Sequence, residues 1–392
     1  MGGVLPMCRG LCVFWVCVLS MLSASVFGCR QTVRLAGSAV RQNPLRRIGP
    51  SGGWTFNGLD ARVPPSYRPG SYASATRRVT FLDPADLGPH GYRFDGAERS
   101  GIVYTCRAGH IDIAHVRKAI DWTGYLAAVV LDRIEAGRTT FQFKQIEPSL
   151  YHVDLTFPDD WTDLDDGQRE RIAREVACDL GAHLAWTGLT WHEILTWFGY
   201  RFKIWQSEFP SAFSWEDNYS NLLGTRIAVA ALGDESRPFD EVVTDLLDEW
   251  LVELGAQPAE AAEEITGAMR DRWFSSQGFF TVIHERNFDI GLDDGHVTPR
   301  LAPTAVVCDD PEPRPLAIPT LDRPARHGFL VRVQIEPRVW EERRILTAAF
   351  GPSDEATGPL EPVVAFPLLM DYIERDAVAR GIPRAESEVA GK

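Results

Sequence analysis

The stretch from Trp186 to Arg226, WTGLTWHEILTWFGYRFKIWQSEFPSAFSWEDNYSNLLGTR, constrains this chain more than any other. Five tryptophans, Trp186, Trp191, Trp197, Trp205 and Trp215, surround a single His192-Glu193 pair. Rings of that size are stable only where most of their surface leaves water. The stretch must therefore lie against a core, and its imidazole and carboxylates must find partners there. A second polar cluster lies upstream in CRAGHIDIAHVRKAIDW, residues 106–122. The expectation is that the two meet in space.

The N-terminus carries one positive charge, Arg9, and then an apolar run from Leu11 to Leu22. The run is short for a bilayer span and reads as the core of a secretory signal over residues 1–28. It ends Ser25-Val26-Phe27-Gly28-Cys29, which resembles the lipobox of bacterial lipoproteins, where the cysteine becomes the acylated first residue. Residue two would then be Arg30, which by resemblance to known sorting rules favours the outer membrane, with the protein facing the periplasm. The alternative is a plain secretory signal. Acyl chains on Cys29, palmitate among them, anchor a protein without any transmembrane helix.

Charge divides the rest. The chain carries a net charge of −14, yet Arg30 to Thr80 holds nine arginines against one acid, Asp60. Rich in Pro, Gly and Ser, residues 29–80 read as a basic tether, either lying on anionic head groups or simply solvated. The acidic body from Phe81 onward excludes nucleic acid as a partner, since binding there needs a basic footprint. Of seven cysteines, only Cys106, Cys178 and Cys308 follow Cys29, with no C-x-x-C spacing. That excludes a zinc ribbon or a disulfide-dense scaffold and leaves one disulfide possible, its pairing open.

The folded part reads as α+β, a helical centre flanked by short strands. A main domain spans 81–300, a Pro-rich connector 301–326, a strand-helix part of the same domain 327–380, and a polar tail 381–392. Gly101 to Thr105 predicts a strand. A helix opens at Gly109 or Asp112 and runs to about Glu135, with Ile113, Val116, Ile120, Trp122, Leu126, Val129 and Val130 on a broad apolar face. Phe141 to Glu147 and Tyr151 to Phe157 alternate as a hairpin. Helices follow at 169–184, 191–200, 215–232, 239–254, 259–274 and 368–380, and strands at 279–290 and 329–335.

Asp112 and His115, three apart, share a helix face and can supply two metal ligands, or a cap and a core hydrogen bond. His110 stands just ahead of them. His192-Glu193 begins like H-E-x-x-H, but position 196 is Thr, so this is not a zincin. Each can still act singly, His192 as a ligand and Glu193 as the base on a metal-bound water. Alternatively Glu193 pairs with an arginine such as Arg201 and His192 packs among tryptophans. Ser214-x-x-Asp217 is a capping signal, which leaves Glu216 free. Cys106 precedes a helix, but Arg107-Ala108-Gly109 delay its start, so it is not expected to be a nucleophile.

The strings GIVYTCRAGHIDIAHVRKAIDWTGY, TWHEILTWFGY and SAFSWEDNYSNLLGTRIA resemble an uncharacterised bacterial lipoprotein family, domain of unknown function 4056, over roughly residues 81–232. The resemblance implies an exported lipoprotein and singles out Asp112, His115, Arg117, Asp121, His192, Glu193 and the Glu216-Asp217 pair. Two function classes follow. In one, Asp112, His115, His192 and Glu216 hold a divalent metal such as zinc, Glu193 is the base, and Arg117 steadies an anionic group of an envelope substrate. In the other, a tryptophan-rich groove binds lipid, glycan or an envelope protein and the histidines are core. The N-terminal reading is tested directly. Mass spectrometry of the native N-terminus is expected to find acylated Cys29, and Cys29→Ala is expected to leave the membrane fraction; an unmodified start elsewhere would end it.

Overall fold

A hairpin and a helix meet at Asp112, and the rest of the fold is arranged around that junction. Strand β1 (Ile102–Thr105) pairs antiparallel with β2 (Gly109–Asp112), and helix α1 (Ile113–Glu135) follows without a linker. Asp112 accepts hydrogen bonds from the amides of Ala114 (2.7 Å) and His115 (3.3 Å), the expected N-cap. Gly109 does not open the helix. It sits in β2 at φ +66°, where a Cβ would stand 2.1 Å from the Arg300 carbonyl oxygen. The computed structural model describes residues 53–66, 68, 80–94, 96–201, 207–277, 280–303, 307–309, 311–352 and 358–382. The secretory signal, Cys29, Trp205 and the tail beyond 382 lie outside them.

Helix α1 is buried almost along its whole length. Two other helices close on it, α2 (Asp166–Trp197) and α3 (Asp217–Leu232). Both use glycine at the crossing. A Cβ on Gly181 of α2 would lie 2.5–2.8 Å from the Ala127 backbone and side chain, and one on Gly224 of α3 would lie 2.1 Å from the Val116 carbonyl oxygen. Close approach of this kind buries apolar surface at high packing density.

Helix α2 is one element of 32 residues, not the two expected at 169–184 and 191–200. Thr187, Gly188 and Thr190, which lie between the two expected helices, are buried inside the one helix. A Cβ on Gly188 would stand 2.3 Å from the amide end of the Gln145 side chain. A capping box starts α2: Asp165 accepts from the Gln168 amide at 2.8 Å and the Gln168 side chain accepts from the Asp165 amide at 3.3 Å. The cap expected at Ser214 is only half formed. Glu216 is the N-cap residue of α3, and the Ser214 amide donates back to Asp217 at 3.1 Å.

Helices α4 (Phe239–Glu253) and α5 (Ala259–Ala268) follow, then the short hairpin β5 (Phe274–Gln277) and β6 (Phe280–Ile283). The connector is not bare. It holds β8 (Leu316–Ala317), paired with β7 (His296–Val297), and α6 (Asp322–Arg326). The expected hairpin is β3 (Thr140–Phe143) and β4 (Leu150–Thr156), and β9 (Leu330–Glu336) adds to β4, giving the order β3-β4-β9. Helix α7 (Glu342–Phe350), which the sequence did not announce, and α8 (Pro362–Ala379) end the chain's described part. Helices joined to small antiparallel sheets make this the α+β fold expected. A disulfide joins Cys106 to Cys308, and Cys178 is free and buried.

The basic tether is shorter than its composition suggests. Phe56 and Leu59 are buried in the main core, and Arg68 is buried with ion-pair partners on α1 and beyond. Pro44 to Lys392 forms one compact unit. Among the described residues no helix is long and apolar enough to cross a membrane.

The helix crossing is open to test. Gly224→Ala gains about 1 kcal/mol of helix propensity, yet a methyl group driven into the Val116 carbonyl should cost more, about 1–3 kcal/mol or above. Urea unfolding is expected to show a net loss. A neutral or stabilised variant would mean that α1 and α3 do not pack this closely.

Candidate active site

The two polar clusters do meet, where the start of α1 faces the start of α3 and the C-terminal half of α2. His115 Nδ1 lies 2.9 Å from Asp217 Oδ1 and 3.5 Å from Asp112 Oδ2. The ring N–H points straight at neither oxygen, so this is an ion pair rather than a formed hydrogen bond. Such contacts commonly tighten only when a ligand binds. Asp112 is fully buried and Asp217 nearly so, whereas the His115 side chain keeps 14% of its surface exposed. Ser220 holds the junction from the other side, its hydroxyl accepting from the Asp112 amide at 3.0 Å.

Three acids share this space with unequal proton affinities. Burial pushes Asp217 upward, but the charge of His115 and its bond with Ser214 outweigh that and hold it below the usual carboxylate range. Glu193 is pushed up to about 7, by burial first and the Asp217 charge second, against the pull of His192, the Phe213 amide and His115. Its Oε2 accepts from the Phe213 amide at 2.8 Å. Glu216 is raised well above the usual carboxylate range, again by burial and then Asp217. The Ser214 side chain pulls the other way but is outside hydrogen-bond geometry, and both carboxyl oxygens are sealed without a hydrogen bond. One imidazole and three buried carboxyls cannot all be ionised at neutral pH, so the protons sort themselves by environment.

The amide that Glu193 uses comes from a strained turn. Phe213 sits at φ +54°, an unfavourable region for a side chain of that size. Arg286 holds the turn. Buried at the end of the β6 segment, it donates to the carbonyls of Ala212, Pro210 (3.1 Å) and Ile283 (3.0 Å), and stacks over Trp197 and Phe209. Its charge also reaches Asp217, Glu193 and Glu216.

His192 belongs to a second pair. Its Nδ1 meets Glu147 Oε1 at 2.5 Å, and its Nε2 lies 3.8 Å from Glu208. Burial lowers its pKa, but Glu147 more than compensates and the imidazole is pushed up to about 9. The two imidazoles thus hold separate acids, and Glu193 feels both. The set Asp112, His115, His192 and Glu216 does not converge on one point. Among the described residues no group of three or more His, Cys, Asp or Glu side chains is placed to hold a metal ion.

Arg117 is not a substrate group. It is fully buried and donates to Glu98 (3.0 Å) and to the carbonyls of Leu87 (2.9 Å) and Gly88 (3.0 Å). Two positions on from His115, it points about 200° away around the helix. There it joins Asp121, which is 2.7 Å from Arg68 and 3.2 Å from His90, in a network that straps residues 68 and 87–98 to α1. His110 is likewise structural, bonded to Thr266 at 2.8 Å and kept neutral by burial, which drops its pKa to about 3. Cys106 is spent in its disulfide. Trp186, Trp191, Trp197 and Trp215 are all buried, so they line no surface groove for lipid or glycan. Glu147, Lys118 and Arg286 were not singled out by the sequence: Glu147 sits in a hairpin turn, and the other two carry no pattern beyond one cation each.

The fold and site define a single α+β body with a buried acid–imidazole cluster at a three-helix junction. The family model described as a protein of unknown function, DUF4056, matches residues 87–297, more than half of the chain, and the chain belongs to that family. The match covers α1, α2, α3 and Arg286, that is, every element of the cluster. No curated protein and no solved structure matches the chain.

The His192–Glu147 pair should be visible in the pH dependence of stability. An unfolded histidine titrates near 6.5, so the raised folded value contributes stability that is full below pH 6.5 and is lost as pH rises through about 9. The loss is expected to amount to a few kcal/mol, at about 1.4 kcal/mol per unit. Urea unfolding at pH 6, 7.5 and 9 should show that slope in the native protein and not in Glu147→Gln. Equal slopes would show that the pair is not linked to folding.

Proposed function

We propose that this chain is a hydrolase of the acid–base type, exported to the cell envelope and anchored there by lipid on Cys29. One observation carries the catalytic part: Glu193 is pushed up to about 7 in the same cluster where Asp217 is held ionised beside His115. Carboxyl groups whose environments drive their proton affinities apart are what acid and base roles require. In this reading Asp217 and Asp112 orient the His115 ring through Nδ1 and stabilise its cationic form. His115, the most accessible of the three, takes a proton from water at its other nitrogen. Glu193 returns a proton to the leaving group, with the Phe213 amide fixing its second oxygen. Glu216 and Arg286 set the field around them. The disulfide supports an oxidising compartment, as export implies.

No step is routed through a metal. The zinc expected from the sequence is tested separately, by metal analysis of protein purified without chelators: stoichiometric zinc lost with His115→Ala would place it at the Asp112–His115–Asp217 face.

The catalytic reading is tested on a panel of chromogenic esters, amides and envelope glycan fragments. His115→Ala, Glu193→Gln and Asp217→Asn are each expected to lose about 10²–10⁴ of the native rate while still unfolding cooperatively. The native rate should fall as pH rises through about 7, where Glu193 gives up its proton, and Glu193→Gln should lack that limb. Variants that hydrolyse as fast as the native protein would refute the assignment.

A further inference from the structure

Lys118 has a place in this site that the acid–base reading does not use. It lies three residues after His115, so the two are neighbours on the surface of α1. Its residue surface is only 7% exposed, yet it makes no hydrogen bond and no ion pair within 4 Å among the described residues. Its stem is buried, but Nζ is not among the sealed polar atoms, so the ammonium reaches solvent and is open to an acceptor from outside. The charge of Lys118 acts on Asp217 in one pair and on Glu147 and His192 in the other, which sets it between them.

Most charged groups around it are already engaged. His115 is paired with Asp217, and His192 with Glu147. Asp112 is committed to the amides at the start of α1, and Arg286 is committed to backbone carbonyls below the site. Glu208 is the acid at the rim, 3.8 Å from His192 and itself 29% exposed. Lys118 has no acceptor of its own among the described residues, and the side chains of His115 and His192 are partly exposed, at 14% and 22%.

We infer that Lys118, assisted by His192, is the anion-binding group of this site, and that the substrate carries a small oxyanion, carboxylate or phosphate, close to the bond that is broken. The substrate class rests on the hydrolase reading; the anion site itself does not. An oxyanion would give the ammonium the acceptor it lacks, and a charge-assisted bond of this kind both binds and registers the substrate. This also reassigns the role that the sequence suggested for Arg117 to the next residue on, about 100° further around the helix.

The test uses the full-length native protein, titrated at constant ionic strength with inorganic phosphate and, separately, with acetate. The readouts are the imidazole NMR signals of His192 and the thermal midpoint. Saturable binding is expected for at least one ion. Phosphate alone would point to phosphate esters, acetate alone to carboxylate substrates, and both to a general oxyanion site. Lys118→Gln should weaken binding about tenfold or more, and Lys118→Arg should restore most of it. No saturable response to either ion overturns the inference. Undiminished binding in folded Lys118→Gln also overturns it, and marks an adventitious ion only. His115→Asn separates the two readings: it is expected to lose hydrolysis and keep the ion. Lys118-dependent binding in a native protein that hydrolyses nothing would leave the anion site standing and remove the hydrolase.

Discussion

The close approach of α2 and α3 to α1 is the constraint on which the rest depends. Gly181 against Ala127 and Gly224 against Val116 leave no room for a side chain at either crossing. Helices that meet so closely cannot keep their polar residues apart by distance. Asp112 and His115 at the start of α1, Glu193 on α2 and Glu216-Asp217 at the start of α3 are therefore forced into one volume. Spread over a surface, the same residues would be ordinary solvated charges. Crowded together out of water, they must share protons and cations.

That crowding explains the unequal acids. Only Asp217 has His115 at 2.9 Å, so it is the one that stays ionised most easily. Its charge then helps push up both neighbours, Glu193 to about 7 and Glu216 well above the usual carboxylate range. The two glutamates have different partners. Glu193 has the Phe213 amide and Glu216 has no hydrogen bond. A strained turn at Phe213, held by Arg286, thus tunes Glu193, and backbone strain of this sort is found where a site over-determines it.

Much of the fold could be read from pattern, and what could not has physical causes. The apolar face of α1, its Asp112 cap, the β3–β4 hairpin and the meeting of the two polar clusters all follow from periodicity and from the cost of burying unpaired polar groups. The single α2 was expected as two helices, and the segment between them, Thr187-Gly188 included, is helical despite poor intrinsic propensity because it is buried in the fold. The pairing of β9 with β4 joins residues far apart in sequence, which no local signal encodes. At the site, Asp112, His115 and Glu193 were legible as spaced polar residues on apolar helices. Arg117 was misread because spacing says which residues share a face but not which face meets the cluster. Glu147 and Arg286 were missed because a turn and a strand end carry no periodicity. Trp186, Trp191, Trp197 and Trp215 are part of the core, as the size of their rings implies.

Helix α1 resolves the two polar networks by its own geometry. His115 and Lys118 look toward α2 and α3, while Arg117 and Asp121 look toward residues 68 and 87–98. On the second side every cation has a carboxylate or a carbonyl. Arg117 meets Glu98 and the loop carbonyls, and Arg68 meets Asp121 and Glu98. On the first side Lys118 has none. A helix fastened by those ion pairs on one face can hold the groups on the other at fixed geometry, because the first supplies rigidity to the second. The two faces differ in burial as well: the side chains of Arg117, Glu98 and Asp121 are fully buried, whereas His115 and His192 keep 14% and 22% of theirs exposed, so only the second face is open to a ligand.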